Sequence, residues 1–233
     1  MEQNNSTRSQ ATETACPRHS ELGRTIIETL AVVTIAAILT SVTIPQIISA
    51  RRLMRSASLP REIATQLRYA RQQAMSQRQV FTFQYDDSTK TINIIDHNNS
   101  NNLNVACNVT GKQVMGDASY PNTACATTVL SVPVAGGNGS LPASELTFGV
   151  PGTISSTTLG DTSVPTALTS SKINVSFQQD GTVVDSNGTA MNPTLFFYNN
   201  KVPNQTAVAI SILGTAGRIK IWRYDTSAQK YLE

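Results

Sequence analysis

The stretch "ELGRTIIETLAVVTIAAILTSVTIPQII", Glu21 to Ile48, decides how the rest of the chain is read. From Thr25 to Ile48 the only charged side chain is Glu28. At ~1.5 Å rise per residue this run makes a helix of roughly 36 Å, longer than the ~30 Å hydrocarbon core of a bilayer. It therefore reads as a membrane helix. A carboxylate in hydrocarbon costs about 2.5–3.5 kcal/mol on insertion scales and as a rule faces a specific partner. Glu28 thus poses the functional question of which positive group meets it. The alternative is that Glu28, about one turn inside the apolar run, snorkels to the headgroups unaided.

A conventional secretory signal has a basic start, a shorter apolar region and a small-residue cleavage site after it. Here the polar segment Met1 to Gly23 comes first, with Arg8 and Arg18 as its only Lys or Arg. Arg51, Arg52, Arg55 and Arg61 crowd the far end of the run. The positive-inside tendency would put that flank in the cytoplasm, against the orientation adopted below. The whole chain has 233 residues, 14% charged, with net charge +3 and a pI near 8.8. That is one moderate domain plus appendages, and so mild a basicity does not imply a nucleic-acid partner.

Beyond the apolar run, Ile63, Leu67, Ala70 and Ala74 recur at helical spacing, with Arg61, Arg68, Arg71 and Arg78 largely elsewhere on the wheel. The two halves form one long helix, with kinks expected at Pro45 and Pro60. From Val80 the period becomes two. "VFTFQY" and "TINIID", joined by "DDSTK", read as a hairpin with Phe81, Phe83 and Tyr85 on one face. Residues 98 to 145 lack periodicity and read as an irregular insertion. Further strands are "INVSF" at 173–177, "TLFFY" at 194–198, "AVAISIL" at 207–213 and "RIKIWRY" at 218–224, the last two a C-terminal hairpin. The fold class is α+β, a long N-terminal helix whose C-terminal half packs on an antiparallel sheet. If the insertion lies outside the cytoplasm, Cys107 and Cys125 pair as a disulfide closing a loop of about 19 residues, worth ~3 kcal/mol in the chain-entropy view. Two unpaired thiols are the alternative.

Gly23, then Arg24-Thr25-Ile26-Ile27-Glu28, then an apolar run and Pro45, resembles the leader and N-terminal helix of type IV prepilins and type II secretion pseudopilins. In that family a peptidase cuts after the glycine and the new first residue is N-methylated. A glutamate stands fifth and a proline twenty-second, as Glu28 and Pro45 do counting from Arg24. The helix ending in "ARQQAMSQ", the "FQQDGT" stretch and the terminal "AGRIKIWR" are similar to the GspH/FimT group of minor pilins. The resemblance covers residues 23–97 and 173–224, and departs from the family at Arg24, where phenylalanine is usual. It implies a leader over 1–23 removed by prepilin peptidase and N-methylation at Arg24. A membrane and filament-core helix follows over 24–50, then a soluble pilin domain over 51–233 facing the periplasm from the inner membrane. The partners implied are other pilins or pseudopilins in a secretion pseudopilus or type IV pilus. Glu28 would meet the N-terminal amine of a neighbouring subunit, since two opposite charges desolvated together cost less than either alone. Pro45 would mark a bend or melting point in the packed filament.

Each of these readings has a plainer competitor. Gly23 can be a linker glycine, Pro45 a local feature of a membrane helix, and the whole an unrelated single-pass protein that keeps its leader. No catalytic constellation, metal set or cofactor motif is present in the sequence, and no enzyme is expected; His97, in "IIDHNNSNN", reads as a solvated turn histidine. The C-terminal tail carries the second functional reading. On a strand Arg218 and Lys220 share a face with Trp222 and Tyr224, and with Arg223 they combine phosphate-binding cations with an aromatic platform, the parts of sequence-tolerant DNA binding. Gly217-Arg218-Ile219-Lys220 also resembles a Gly-Arg-x-Arg segment of members active in DNA uptake. An edge hairpin protected from aggregation by its charges is the competing explanation.

Overall fold

The computed structural model describes residues 25–97, 126–136, 141–154, 159–161, 163–184 and 189–233. The leader with Gly23 and Arg24, and the Cys107–Cys125 pair, lie outside the described residues. The chain divides into two compact units, Met1–Pro45 and Gln46–Glu233.

Helix α1, Ile26–Gln77, is a single helix of 52 residues, and both Pro45 and Pro60 lie inside it. Its first part is one candidate membrane span, long and apolar enough to cross a bilayer, with none of its most apolar window buried by protein. Twelve large apolar side chains between Ile26 and Ile48 are exposed. Burying such side chains gains about 1.5–3 kcal/mol each, so covering this surface by lipid or protein is strongly favoured. The hydroxyls along it are internally satisfied. Thr29, Thr34, Thr40, Ser41 and Thr43 each donate to a carbonyl three or four residues earlier, as a hydroxyl in hydrocarbon must.

The second unit begins within α1. Leu59, Ile63, Leu67, Ala70 and Ala74 are buried, the last four being the stripe read from the sequence. The helix ends where Arg78 takes a left-handed conformation, φ 53°, and the Gln79 N–H bonds back to the Ala74 carbonyl. The chain then enters β1 (Phe81–Asp86) and returns as β2 (Thr91–Asp96), paired from Phe81↔Asp96 to Asp86↔Thr91. Asp86 caps the turn by accepting the Ser88 and Thr89 N–H groups. Burial raises the Asp86 carboxyl, but those bonds, the Ser88 hydroxyl and Lys172 outweigh it and hold it below the ordinary carboxylate value.

There are two sheets where the sequence suggested one. The first has the order β3-β2-β1-β6, with β3 at Thr127–Pro133 and β6 at Lys172–Phe177. The second runs β10-β9-β8-β7-β4, with β4 at Leu146–Phe148, β7 at Pro193–Asn199, β8 at Val208–Leu213, β9 at Arg218–Asp225 and β10 at Lys230–Leu232. A two-residue strand, β5 (Val164–Pro165), pairs parallel to β7, the one departure from an antiparallel arrangement among the described strands. Both sheets contribute to one core with α1. Phe81, Phe83 and Tyr85 of β1 meet Ile173, Val175 and Phe177 of β6, Leu195 and Phe197 of β7, and Ile210 and Ile212 of β8. Tyr85 and Phe197 cross edge to face at 5.1 Å between centroids, a preferred aromatic geometry. The opposite face of the second sheet carries a smaller core of Ile154, Leu159, Phe196, Ala209, Trp222 and Tyr231.

Candidate functional site

Three stretches singled out in the sequence, "ARQQAMSQ", "FQQDGT" and "AGRIKIWR", meet at one side chain. Arg71 on α1 donates from Nε to the Gly181 carbonyl at 3.3 Å and from Nη2 to the Ala216 carbonyl at 2.8 Å. Gly181 and Gly217 have positive φ, 80° and 58°. A Cβ on Gly217 would stand 2.3 Å from the Gly181 carbonyl oxygen and 2.2 Å from Arg71 Nε, so only glycine fits where the two turns converge on the guanidinium. Arg71 thus ties the helix to one turn after β6 and another before β9. The arrangement has no reacting group; it fixes the helix on the sheets. Arg71→Met keeps the aliphatic packing and removes both bonds, and is expected to lower unfolding free energy by about 1.5–3 kcal/mol. A urea midpoint unchanged from wild type would contradict this.

A second tie sits nearer the start of the domain. The buried Glu145 pairs with Arg52 Nε at 3.2 Å and accepts from Asn199 Nδ2 at 2.9 Å, and the same Asn199 nitrogen reaches Ser56 Oγ at 3.3 Å. Sequence reasoning missed Glu145 and Asn199, because neither stands in a motif and their partner is far along the chain.

His97 is a correction. It is 6% exposed, not solvated, with Nε2 2.7 Å from Thr82 Oγ1, which is 3.0 Å from Ser176 Oγ. Pairing continues one residue past β2, through the His97 N–H to the Val80 carbonyl, and this carries the imidazole inside. Burial lowers its pKa to about 4, so it is neutral in the folded protein at pH 7. An unfolded histidine takes its proton near pH 6.5. Its contribution is therefore complete above that value and is lost as pH falls from 6.5 towards 4. Urea midpoints at pH 7.5 and pH 5 should differ less in His97→Gln than in wild type; equal pH dependence would place the sensitivity elsewhere.

The tail also differs from expectation. Lys220 and Trp222 do share a face, with Nζ 5.0 Å from the ring centroid, but that face is covered. Trp222 is 6% exposed, packed against Gly160 in the smaller core, and its Nε1 donates to Ser211 Oγ at 2.8 Å. Ser211 in turn donates to Asp161 Oδ2 at 2.6 Å. Burial raises the Asp161 carboxyl, yet bonds from Ser163 and Ser211 and the nearby Lys220 ammonium hold it below the usual range. Lys220 bonds Glu233 at 2.6 Å, and Arg218 lies 3.9 Å from the same carboxylate. Of the four residues expected to meet DNA, Arg223 is exposed with no ion pair among the described residues. The indole offers no face for a base to stack on.

Glu28 lies in the first turn of α1, exposed and without an ion pair among the described residues. Pro45 is exposed on the same helix. No group of three or more metal-ligating side chains occurs among the described residues. No protein-family model, curated protein or solved structure matches the chain.

Proposed function

We propose that this protein is a minor pilin or pseudopilin. It is made as a precursor with a leader over residues 1–23, inserted in the inner membrane with its sheet domain in the periplasm, cleaved after Gly23 and assembled into a filament through its N-terminal helix. The observation that supports this reading best is the division of labour along α1. Its first part is uniformly apolar and bare of protein cover, apart from one carboxylate at Glu28, while its second part is the core element of a two-sheet domain. A helix that only anchored a domain would need no carboxylate there, whereas a helix that packs beside copies of itself gives Glu28 a neighbour's amine to meet. The role is structural, and its machine is a type II secretion pseudopilus or a type IV pilus.

DNA uptake through the tail is the weaker reading, because Trp222 is buried and Arg218 and Lys220 already face Glu233. The test of the main reading is an intact-mass measurement on protein extracted from membranes of cells that carry a prepilin peptidase. The expected product begins at Arg24, and Gly23→Phe is expected to leave the full precursor, since a peptidase working beside the bilayer has little room for a side chain there. A leader that stays attached in the wild type would point to an ordinary single-pass protein.

A further inference from the structure

Helix α1 carries a row of arginines just past its apolar part. Arg51, Arg55, Arg61 and Arg68 are exposed, and none makes an ion pair with a carboxylate among the described residues. Arg52, in the middle of the row, is different: it turns to the domain and pairs with Glu145. At 100° per residue, Arg51 and Arg55 project within about 40° of each other, to one side of the stripe formed by the buried Ser56, Leu59 and Ile63, and both are exposed. Counted from Ile48 at ~1.5 Å per residue, Arg51 stands about 4.5 Å and Arg55 about 10 Å beyond the apolar run. The polar layer on each side of a bilayer is roughly 5–8 Å thick, so both guanidinium groups reach it, whereas Arg61 at about 20 Å and Arg68 at about 30 Å do not.

We propose that Arg51 and Arg55 bind the phosphates of anionic lipid headgroups and so hold the chain at a fixed depth in the membrane before assembly. This rests on the membrane placement of the first part of α1 in the proposed function, but not on cleavage or filament entry. Three arguments favour lipid over another protein surface. The two cations adjoin the span and lie at headgroup depth. A guanidinium presents paired donors matched to phosphate oxygens. Basic residues on a translocated flank also run against the positive-inside tendency, and a local anionic partner offsets that disadvantage. The row further explains why one arginine of the cluster is tied down and its neighbours are not: Arg52 positions the domain, while Arg51 and Arg55 remain available to the bilayer.

The experiment uses the full chain in a neutral detergent with equal amounts of phosphatidylglycerol and phosphatidylcholine, and reads the lipids retained by native mass spectrometry. Wild type is expected to retain the anionic lipid in preference. Each of Arg51→Gln and Arg55→Gln is expected to reduce that preference roughly fivefold, the equivalent of about 1 kcal/mol per cation near the surface. Arg68→Gln, which changes an exposed arginine of the same helix far from headgroup depth, is expected to leave it unchanged. Wild type without a preference, or a double variant that keeps it, overturns the proposal, as does an Arg68→Gln variant that loses as much as the other two. Glutamine is close to arginine in helix propensity, so these variants fold. Protein that retains its leader can still show the lipid preference, so failure here and failure of the processing test are separate results.

Discussion

Protein carrying Glu28→Val is expected to insert in the membrane, lose its leader and yet be absent from filaments. Insertion should be at least as efficient as in wild type, because replacing a carboxylate by an isopropyl group removes a cost that is about 2.5–3.5 kcal/mol at the centre of a span and smaller in its first turn, where Glu28 lies. In the proposed pilin reading, cleavage after Gly23 lies five residues upstream of position 28, so the substitution is expected to leave it intact. Assembly is different. In a filament core the amine exposed by cleavage must leave water, and an unpaired buried charge costs several kcal/mol. If Glu28 meets a neighbour's amine as proposed, each subunit boundary without it carries that penalty, and a loss of about 3–5 kcal/mol on breaking one partner of a buried pair is expected to reduce incorporation by a factor of a hundred or more. The measurement is the fraction of mature protein in sheared or pelleted filaments relative to the membrane pool, with Glu28→Gln as a neutral, near-isosteric companion. Normal incorporation of both variants would show that the carboxylate snorkels and has no assembly role.

The helix and the first hairpin were legible because their side-chain periods are imposed by burial. Ile63, Leu67, Ala70 and Ala74 had to share one face of α1, and Phe81, Phe83 and Tyr85 one face of β1, whatever lay across from them. The glycines of "FQQDGT" and "AGR" are ordinary turn residues by type, but their shared partner Arg71 was not legible, because a contact 110 residues away leaves no local pattern. Strand β3 was missed for a related reason: it is an edge strand with most of its side chains exposed, and "TTVLSVP" therefore shows no alternation to detect. His97 was misread because "DHNNSN" has the composition of a turn, while the imidazole's burial follows from pairing with Val80. In the tail, alternation placed Lys220 and Trp222 correctly on one face. It could not say that Leu159, Gly160 and Tyr231 cover that face.

Trp222→Ala carries the largest stability change, and it separates the two readings of the tail. The indole is buried in the smaller core with Ile154 and Leu159 and lies against Gly160, and its N–H is committed to Ser211 Oγ. Truncation removes the largest side chain of the smaller core and frees Ser211 and Asp161 from one side of their network. Deleting a buried tryptophan costs about 3–5 kcal/mol, a large part of the 5–15 kcal/mol that holds a typical domain folded. For a domain of this size that lowers Tm by roughly 6–20 °C. Trp222→Phe retains most of the volume but not the N–H donor, and should recover more than half of the loss. A platform for bases would behave in the opposite way. There the alanine variant would stay as stable as wild type and lose about 1–3 kcal/mol of affinity for single-stranded DNA. Measuring thermal unfolding and DNA affinity at low salt on the same full-length samples distinguishes these outcomes, and Arg223→Gln serves as the comparison because it alters an exposed cation without touching the core. If the tail is structural, Arg223→Gln leaves both quantities unchanged and Trp222→Ala changes stability alone. A DNA affinity that falls in both variants while the unfolding temperature holds would instead require the indole to leave its pocket, against the hydrogen bond and packing that keep it there.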